Sequence, residues 1–190
     1  GNQNYGIYTG GAASNFAEID LTNGVGNVGI YSTGQNLAEN YATIKVGASK
    51  VPEKLYSIGM AAGYYDKDNN VSVYTGKIEN ANTGKIEVTG KNGIGMYAIG
   101  NGSVAINNGE IHLSGKNSIG MFLDQEAVGI NNGLITATPD AVGAIGAVAT
   151  NRAVFKNYGI INILPRAGVG ALVKRDAVLE EYSSPLATVP

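Results

Sequence analysis

The sequence predicts an all-β protein, a parallel β-helix (solenoid) with three short strands in each coil of about 25 residues. The first observation is a repeated pattern: an Asn, a Gly or Ala two residues later, and an Ile two residues after that. It starts at Asn15, Asn40, Asn82, Asn107, Asn131 and Asn157, in steps of 25, 42, 25, 24 and 26 residues. The second is composition, since 28 Gly and no Cys among 190 residues suit many short strands and tight turns. A fixed period of this length indicates a stack of equivalent coils.

Each repeat contains three short apolar segments, and each segment is predicted to be a strand. The first follows the Asn and alternates apolar with polar residues, as a half-buried strand does, at 19–21, 44–46, 86–88, 111–113, 135–137 and 161–163. The second contains a Gly and begins at Tyr5, Val28, Ile58, Ile94, Ile119, Val142 and Val169. The third precedes the next Asn and begins at Val104, Val128, Val154 and Val178. Stacking at ~4.8 Å then gives about seven coils and a rod roughly 34 Å long.

The outward residues of the first strand test this register. Stacked coil upon coil, they form one column of Asp20, Lys45, Glu87, His112, Thr136 and Asn162, and a second of Glu18, Thr43, Lys85 and Glu110. Opposite charges follow one another in both columns, and such neighbours across strands contribute ~0.2–1 kcal/mol each. The Asn of the pattern is predicted to form a ladder of side-chain amides along the stack.

Residues 1–190 are predicted to be a single β-helix fragment of a longer chain, because the sequence begins inside a repeat. The stretch 61–81 lengthens one repeat and is predicted to be a loop insertion, which in solenoids often lies on the functional face. Residues 183–190 are predicted to be a frayed tail. We expect a monomer, although the open strand edges at both ends also permit end-to-end association.

Composition excludes several classes of function. A net charge of −2 without a basic patch argues against a nucleic-acid partner, and the absence of Cys excludes disulfides and thiolate metal sites. No stretch approaches the ~20 apolar residues of a membrane helix, so no membrane contact by this fragment is expected. The single histidine, His112, is interpreted as a surface residue next to Glu87. With no nucleophile triad or phosphate loop, we expect no enzyme activity, no catalytic residues and no cofactor.

The insertion contains the start of a calcium-binding loop, at Asp66, Asp68 and Asn70. The pattern then fails, because Val71 stands where the motif requires Gly and Lys77 where it requires Glu. A solvated polar turn therefore fits better than a metal site, and no metal is expected. As part of the insertion, Tyr64, Tyr65, Asp66 and Asp68 are instead candidate contacts to a partner.

A second candidate group combines acidic and basic residues from successive coils. Asp124 and Glu126 lie two residues apart, and the equivalent turns of the next coils contain Arg152, Lys174 and Arg175. The group fits a salt-bridged ridge. The alternatives are a ridge that contacts a receptor and an acid/base pair, since glycoside hydrolysis uses two carboxyl groups ~5–10 Å apart.

A third candidate group is aromatic. By strand alternation these side chains should point outward, on the same side as the preceding Gly; they are Tyr8, Tyr31, Tyr97 and Phe122. Exposed aromatic columns bind sugars or partner proteins. Alternatively, each ring covers a neighbouring Gly and shields the backbone.

The units Asn107-Asn108-Gly109-Glu110-Ile111, Ile94-Gly95-Met96-Tyr97 and Ile119-Gly120-Met121-Phe122 resemble the passenger domains of large autotransporter (type V secreted) adhesins, especially those of fusobacteria. The resemblance covers essentially the whole chain. It implies a right-handed β-helix, export through an outer-membrane barrel and display on the extracellular side of the outer membrane. It also implies cell adhesion, coaggregation and virulence, with a host cell-surface protein or glycan, or other bacterial cells, as partners. It lies in the scaffold and carries over no functional residue.

Three hypotheses of function follow. In the first, the chain is a non-enzymatic fragment of an adhesin passenger that presents loops on a rigid rod. In the second, it is a stalk that spaces a distal domain from the membrane and binds nothing itself. In the third, it is a carbohydrate-active β-helix enzyme.

Overall fold

A computed structural model describes residues 1–182, which form a stack of parallel β coils. Three sheets run along the stack, with seven strands in sheet A, seven in sheet B and six in sheet C. Each strand pairs in parallel with the equivalent strand of the next coil, and the chain visits the sheets in the order A, B, C. The predicted fold class, an all-β parallel β-helix with three strands per coil of about 25 residues, is confirmed.

The strands are short and regularly spaced. Sheet A contains Tyr5–Thr9, Val28–Ser32, Ile58–Ala62, Ile94–Ile99, Ile119–Asp124, Ile145–Ala149 and Val169–Val173. Sheet B contains Ala13–Asn15, Leu37–Asn40, Lys77–Asn80, Val104–Asn107, Val128–Asn131, Val154–Asn157 and Val178–Glu181. Sheet C contains Ile19–Leu21, Thr43–Val46, Lys85–Val88, Glu110–Leu113, Leu134–Ala137 and Ile160–Ile163. A 3₁₀ helix, Val51–Glu53, and an antiparallel hairpin, Tyr64–Asp66 with Val71–Tyr74, lie outside the three sheets.

The core is a column of apolar side chains inside the coils. Its fully buried Ile and Met residues are Ile44, Ile86, Ile111 and Ile135 of sheet C, Ile30, Met60, Met96 and Met121 of sheet A, and Ile78 of sheet B. Each packs against equivalent residues above and below, so burial is shared between neighbouring coils. Within residues 1–182, no helix is both long and apolar enough to span a membrane.

The glycines of sheet A face this core, so the prediction that they share the outer side with the aromatic residues is wrong. A Cβ atom built on Gly95 would lie 2.6 Å from the carbonyl oxygen of Gly120 and 2.8 Å from Cγ2 of Ile111. The next residue, Met96, is also fully buried. Two successive residues therefore face inward, and alternation resumes one position later with Tyr97 on the outside.

The predicted amide ladder is present at the end of sheet B. Each Asn donates its Nδ2–H to Oδ1 of the next over 2.8–2.9 Å, through Asn15, Asn40, Asn80, Asn107, Asn131 and Asn157. The prediction that Asn82 belongs to this ladder is wrong. Asn80 is the buried member, because it ends the strand that pairs with the strands ending at Asn40 and Asn107.

One repeat of sheet A is shifted from its predicted position. The sequence pattern predicts this strand at 142–145 around Gly143, but the strand is Ile145–Ala149 and Gly146 takes the equivalent place. Gly143 lies in the preceding turn with φ +75°. Both segments match the local pattern of an apolar residue followed by Gly, and pairing of Ile145 with Ile119 decides between them.

The predicted charge columns of sheet C are in register. Asp20 pairs with Lys45, Lys45 with Glu87, and Glu87 with His112. The ion pairs, however, run diagonally or along a strand rather than straight up the column. They join Lys45 to Glu18 at 2.9 Å and Lys85 to Glu87 at 2.6 Å, and a hydrogen bond of 2.6 Å joins His112 to Glu110.

The stretch predicted as an insertion, 61–81, contains three kinds of structure. Its first two residues end a sheet A strand, Tyr64–Tyr74 forms the hairpin, and Lys77–Asn80 is a sheet B strand. The tail predicted at 183–190 lies outside the described residues.

Candidate functional site

The outer face of sheet A carries a second apolar cluster, separate from the core inside the coils. Val28, Ile58 and Ile94 begin three successive strands and are buried there together with Ala61. The side chains that pack against them while remaining partly exposed are Tyr31, Tyr97, Ile119 and Phe122. An apolar patch on the outside of a solenoid is a surface suited to contact with another molecule.

The hairpin leaves and rejoins the coil beside this patch. Gly63, at φ +85°, donates its N–H to the carbonyl oxygen of Ser32 at 3.0 Å. At the other end, Gly76 donates its N–H to Oγ of Ser103 at 3.2 Å. A Cβ built on Gly76 would lie 3.0 Å from the nitrogen of Gly63, so the two ends of the hairpin are neighbours. The hairpin therefore projects from a single point of the rod.

The tip of the hairpin is a hydrogen-bonded polar turn. Asp66 accepts bonds from the backbone N–H of Asp68 at 3.0 Å and from the backbone and side chain of Asn69 at 3.2 and 2.7 Å. These bonds, the Asn69 side chain first, hold the pKa of Asp66 below its usual value. Tyr65 donates its hydroxyl to Oδ1 of Asn70 at 2.5 Å. Among the described residues, no group of three or more His, Asp or Glu side chains is placed to hold a metal ion.

Tyr31 connects the sheet to the base of the hairpin. Its hydroxyl donates a hydrogen bond of 3.0 Å to the carbonyl oxygen of Gly63. Its ring packs edge-on against Tyr8, with ring centres 5.2 Å apart, and stacks on Tyr5 at 5.8 Å. Burial, then the nearby Tyr8, Tyr5, Tyr64 and Tyr74 hydroxyls, raises the pKa of Tyr31 to about 12. Five tyrosines thus gather where the sheet meets the hairpin.

Two depressions lie between the hairpin and sheet A and together form one feature, which we call the aromatic groove. The first has a volume of about 250 Å³ and the second of about 210 Å³. Ile58, Lys67 and Tyr97 line both, so the two are continuous. The other lining residues include Tyr5, Val28, Tyr31, Tyr64, Tyr65, Tyr56, Ile94, Phe122 and Asp124. Most of this lining is aromatic or aliphatic.

The far end of the groove is fixed by a buried carboxylate. Asp124, 5 % exposed, accepts hydrogen bonds from the backbone N–H of Gln125 at 2.8 Å and from Nδ2 of Asn151 at 2.6 Å. Burial, followed by the charge of Asp124, raises the pKa of Tyr97. The ring of Tyr97 lies 5.7 Å from that of Phe122. Tyr97 therefore stays neutral beside Phe122 and Asp124 of the next strand.

The acidic and basic residues of the predicted ridge fall into two environments. Glu126 forms an exposed ion pair with Arg152 of the next coil at 2.8 Å, whereas Asp124 turns toward the groove. Arg152 donates its backbone N–H to the carbonyl oxygen of Arg175 at 3.0 Å, which stacks the equivalent turns. The backbone N–H of Lys174 bonds to Ala149 of the coil below at 3.1 Å. The turn itself is tight, with φ +48° at Gln125 and +67° at Glu126.

The structure brings most of the sequence-predicted candidates into one place. Tyr31, Tyr64, Tyr65, Tyr97, Phe122 and Asp124 line the groove, Tyr8 packs against Tyr31, and Asp66 and Asp68 form the hairpin tip. Glu126, Arg152, Lys174 and Arg175 lie on the adjoining stacked turns. Sequence reasoning did not identify Tyr5, Tyr56, Lys67 or the aliphatic residues Val28, Ile58 and Ile94 as part of the groove. The alternation in Val71-Ser72-Val73-Tyr74 was a signal for a strand, and thus for a hairpin that folds back over the sheet.

Comparison with known proteins gives one relationship. Residues 2–133 match the family model described as BigA third pectate lyase-like domain. No curated protein and no solved structure matches the chain. The family match indicates a surface-exposed, passenger-like domain of a bacterial protein. Since the match covers more than half of the 190 residues, the chain belongs to the BigA third pectate lyase-like domain family.

Proposed function

We propose that this chain is a segment of an autotransporter passenger that acts as an adhesin, attaching the bacterium to host cells or to other bacteria through the aromatic groove. The observation that carries the proposal is the groove itself, a largely apolar depression on the outside of the rod that is bordered by the hairpin and its exposed rings. Rigid scaffolds that present binding loops are a common way to build recognition sites. Family membership supports a position on the bacterial surface.

The proposal includes several finer statements. The parent protein is of the fusobacterial type, exported by type V secretion and displayed on the extracellular side of the outer membrane, with roles in coaggregation and virulence. The repeat resemblance set out above supports these statements. The segment contacts its partner as a monomer, without a cofactor and without touching the membrane.

The proposal also assigns no enzyme activity. The two carboxylates considered for acid/base catalysis are engaged in structural contacts, Asp124 with Asn151 and Glu126 with Arg152. Glu126 lies on the exposed turn, and its partner is itself exposed. This arrangement supports a structural role for both acids over the third hypothesis, a carbohydrate-active enzyme.

An adhesion assay tests the proposal. Beads coated with the chain are incubated with epithelial cells and with other bacterial species, and bound beads are counted. The double variant Tyr64→Ala, Tyr74→Ala removes two exposed hairpin rings and should reduce attachment strongly. Tyr158→Ala, which removes an exposed ring outside the groove, is the matched control and should bind as the unchanged chain does. Failure of the unchanged chain to attach beyond uncoated beads would instead favour the stalk hypothesis.

A further inference from the structure

We infer that the aromatic groove receives a protein partner rather than a glycan: an extended segment that inserts an aromatic or large aliphatic side chain and places a carboxylate beside Lys67. This inference rests on the proposed function and names the chemistry of the partner at the same site. It follows from three properties of the groove: the state of its polar atoms, the size of its two depressions, and the charge at its mouth.

Several of the polar atoms around the groove are already bonded within the chain. The Tyr31 hydroxyl donates to Gly63, and the Tyr65 hydroxyl donates to Asn70. Asp124 accepts bonds from Asn151 and the Gln125 backbone. A sugar carries many hydroxyl groups, and each one buried without a partner costs free energy. An apolar side chain has no such requirement, so beside Tyr31, Tyr65 and Asp124 the groove favours it over a sugar ring.

The size and floor of the groove suit single side chains. The groove consists of two depressions, of about 250 and 210 Å³, joined along Ile58, Lys67 and Tyr97. Their floor consists of aliphatic residues, Val28 and Ile58 in the first and Ile58 and Ile94 in the second. Adjacent shallow pockets with a shared wall fit anchor residues on one extended segment, because side-chain anchors in pockets dominate protein interfaces.

The rim of the groove has the composition of a protein interface. Tyr64 and Tyr74 are 51 % and 53 % exposed, and Tyr is among the residues enriched at such interfaces. Val71 and Val73, on the second strand of the hairpin, are also exposed. These side chains extend the contact surface beyond the groove onto the hairpin itself.

Lys67 and Asp124 are the charged residues of the lining, and Asp124 is already bonded to Asn151 and the Gln125 backbone. Lys67 is exposed, lines both depressions, and takes part in none of the ion pairs found within residues 1–182. A free ammonium group at the mouth of an apolar groove favours a ligand with a negative charge next to its apolar anchor. The partner segment should therefore combine a large apolar residue with a nearby Asp or Glu.

The test uses a phage-displayed library of random 12-residue peptides, panned on the full chain. The peptides recovered should share an aromatic or large aliphatic residue within a few positions of Asp or Glu. A synthetic peptide with that consensus, measured by fluorescence polarisation, should bind roughly tenfold or more weakly to Lys67→Glu, because an attraction becomes a repulsion. Lys91→Glu, the same change at an exposed lysine outside the groove, should bind as the unchanged chain does.

Three results would overturn the inference: no enriched peptide, a consensus without an acidic residue, or equal binding by Lys67→Glu and the unchanged chain. Binding on a glycan array that Tyr64→Ala abolishes would do so as well. The adhesion assay separates this inference from the proposed function. Peptide binding without cell attachment would contradict the proposed function alone. Cell attachment that is abolished by periodate treatment of the target cells but not by protease treatment would contradict this inference alone.

Discussion

The hydroxyl of Tyr31 donates a 3.0 Å hydrogen bond to the carbonyl oxygen of Gly63, the residue at which the hairpin leaves the coil. One side chain of sheet A thereby adds to the backbone bond from Gly63 to Ser32 that holds the same end of the hairpin. Because the bond joins the hairpin to a single point of the rod, its removal should affect local order more than global stability.

We predict that Tyr31→Phe loosens the hairpin while leaving the coils folded. Loss of one partly buried hydrogen bond should lower the free energy of unfolding by about 1 kcal/mol. Amide hydrogen exchange should accelerate in Tyr64–Tyr74 and remain unchanged in sheet C. Tyr8→Phe is the control, because the Tyr8 hydroxyl makes no hydrogen bond within the part of the chain that the structure describes. Uniformly faster exchange in all sheets would contradict the assignment of a local role.

The amide ladder provides a second prediction. Asn107 is fully buried, accepts a bond from Asn80 at 2.9 Å and donates one to Asn131 at 2.8 Å. Asn107→Ala should lower the free energy of unfolding by about 2–3 kcal/mol, because both neighbours keep buried polar atoms without their partners. Chemical denaturation measures the change. Asn132→Ala, at an exposed amide that bonds only to Asn108, should change it by less than about 0.5 kcal/mol.

A third prediction concerns the inward-facing glycines. In Gly95→Ala the new methyl group meets a backbone carbonyl and a core Ile, neither of which can withdraw, so we expect destabilisation of about 3 kcal/mol. Gly11→Ala is the matched control, since a Cβ there meets nothing within 4 Å. Thermal unfolding of the two variants should differ clearly. Equal melting temperatures would show that sheet A tolerates a side chain at the glycine column.

A fourth prediction follows from the raised pKa values of the groove tyrosines. The pKa of Tyr31 is raised to about 12, above the ~10 of an unfolded tyrosine. The stabilisation linked to its neutral form is therefore complete below pH ~10 and is lost as the pH rises through about 12. Tyr97, whose pKa is also raised by burial, acts in the same direction.

Absorbance at 295 nm, which follows tyrosinate formation, checks this prediction. Tyr31→Phe should remove one of the late-titrating tyrosines. Unfolding should accompany the late phase. A curve in which all 11 tyrosines titrate together near pH 10 in the folded protein would contradict the buried position of Tyr31 and Tyr97.

The fold was predictable because a parallel β-helix repeats the same strand pairing and core packing in every coil. Alternation in the segments after each Asn located sheet C, and the charge order from Asp20 to His112 supported its register. The errors arose where two nearby segments match one local pattern. Asn82 fits the spacing to Gly84, but the turn there contains two additional residues and Asn80 occupies the ladder.

The candidate groove was only partly predictable. Alternation correctly predicted that Tyr31 and Tyr97 point outward. The preceding glycines, however, face inward rather than outward, and alternation is interrupted by one residue after each glycine. The approach of Lys67 to sheet A could not be predicted, because it depends on the direction in which the chain leaves Gly63. A repeat pattern describes what neighbouring coils share, whereas the hairpin occurs in one coil.

The adjacent ends of the hairpin have a consequence for how such rods diversify. The strands before and after it, Ile58–Ala62 and Lys77–Asn80, keep the pairing of their sheets. A loop of any sequence that starts and ends at these neighbouring points could therefore replace the hairpin without changing the register of any coil. The surface beside the groove can thus be changed through the hairpin sequence alone, while the pairing between coils stays as it is.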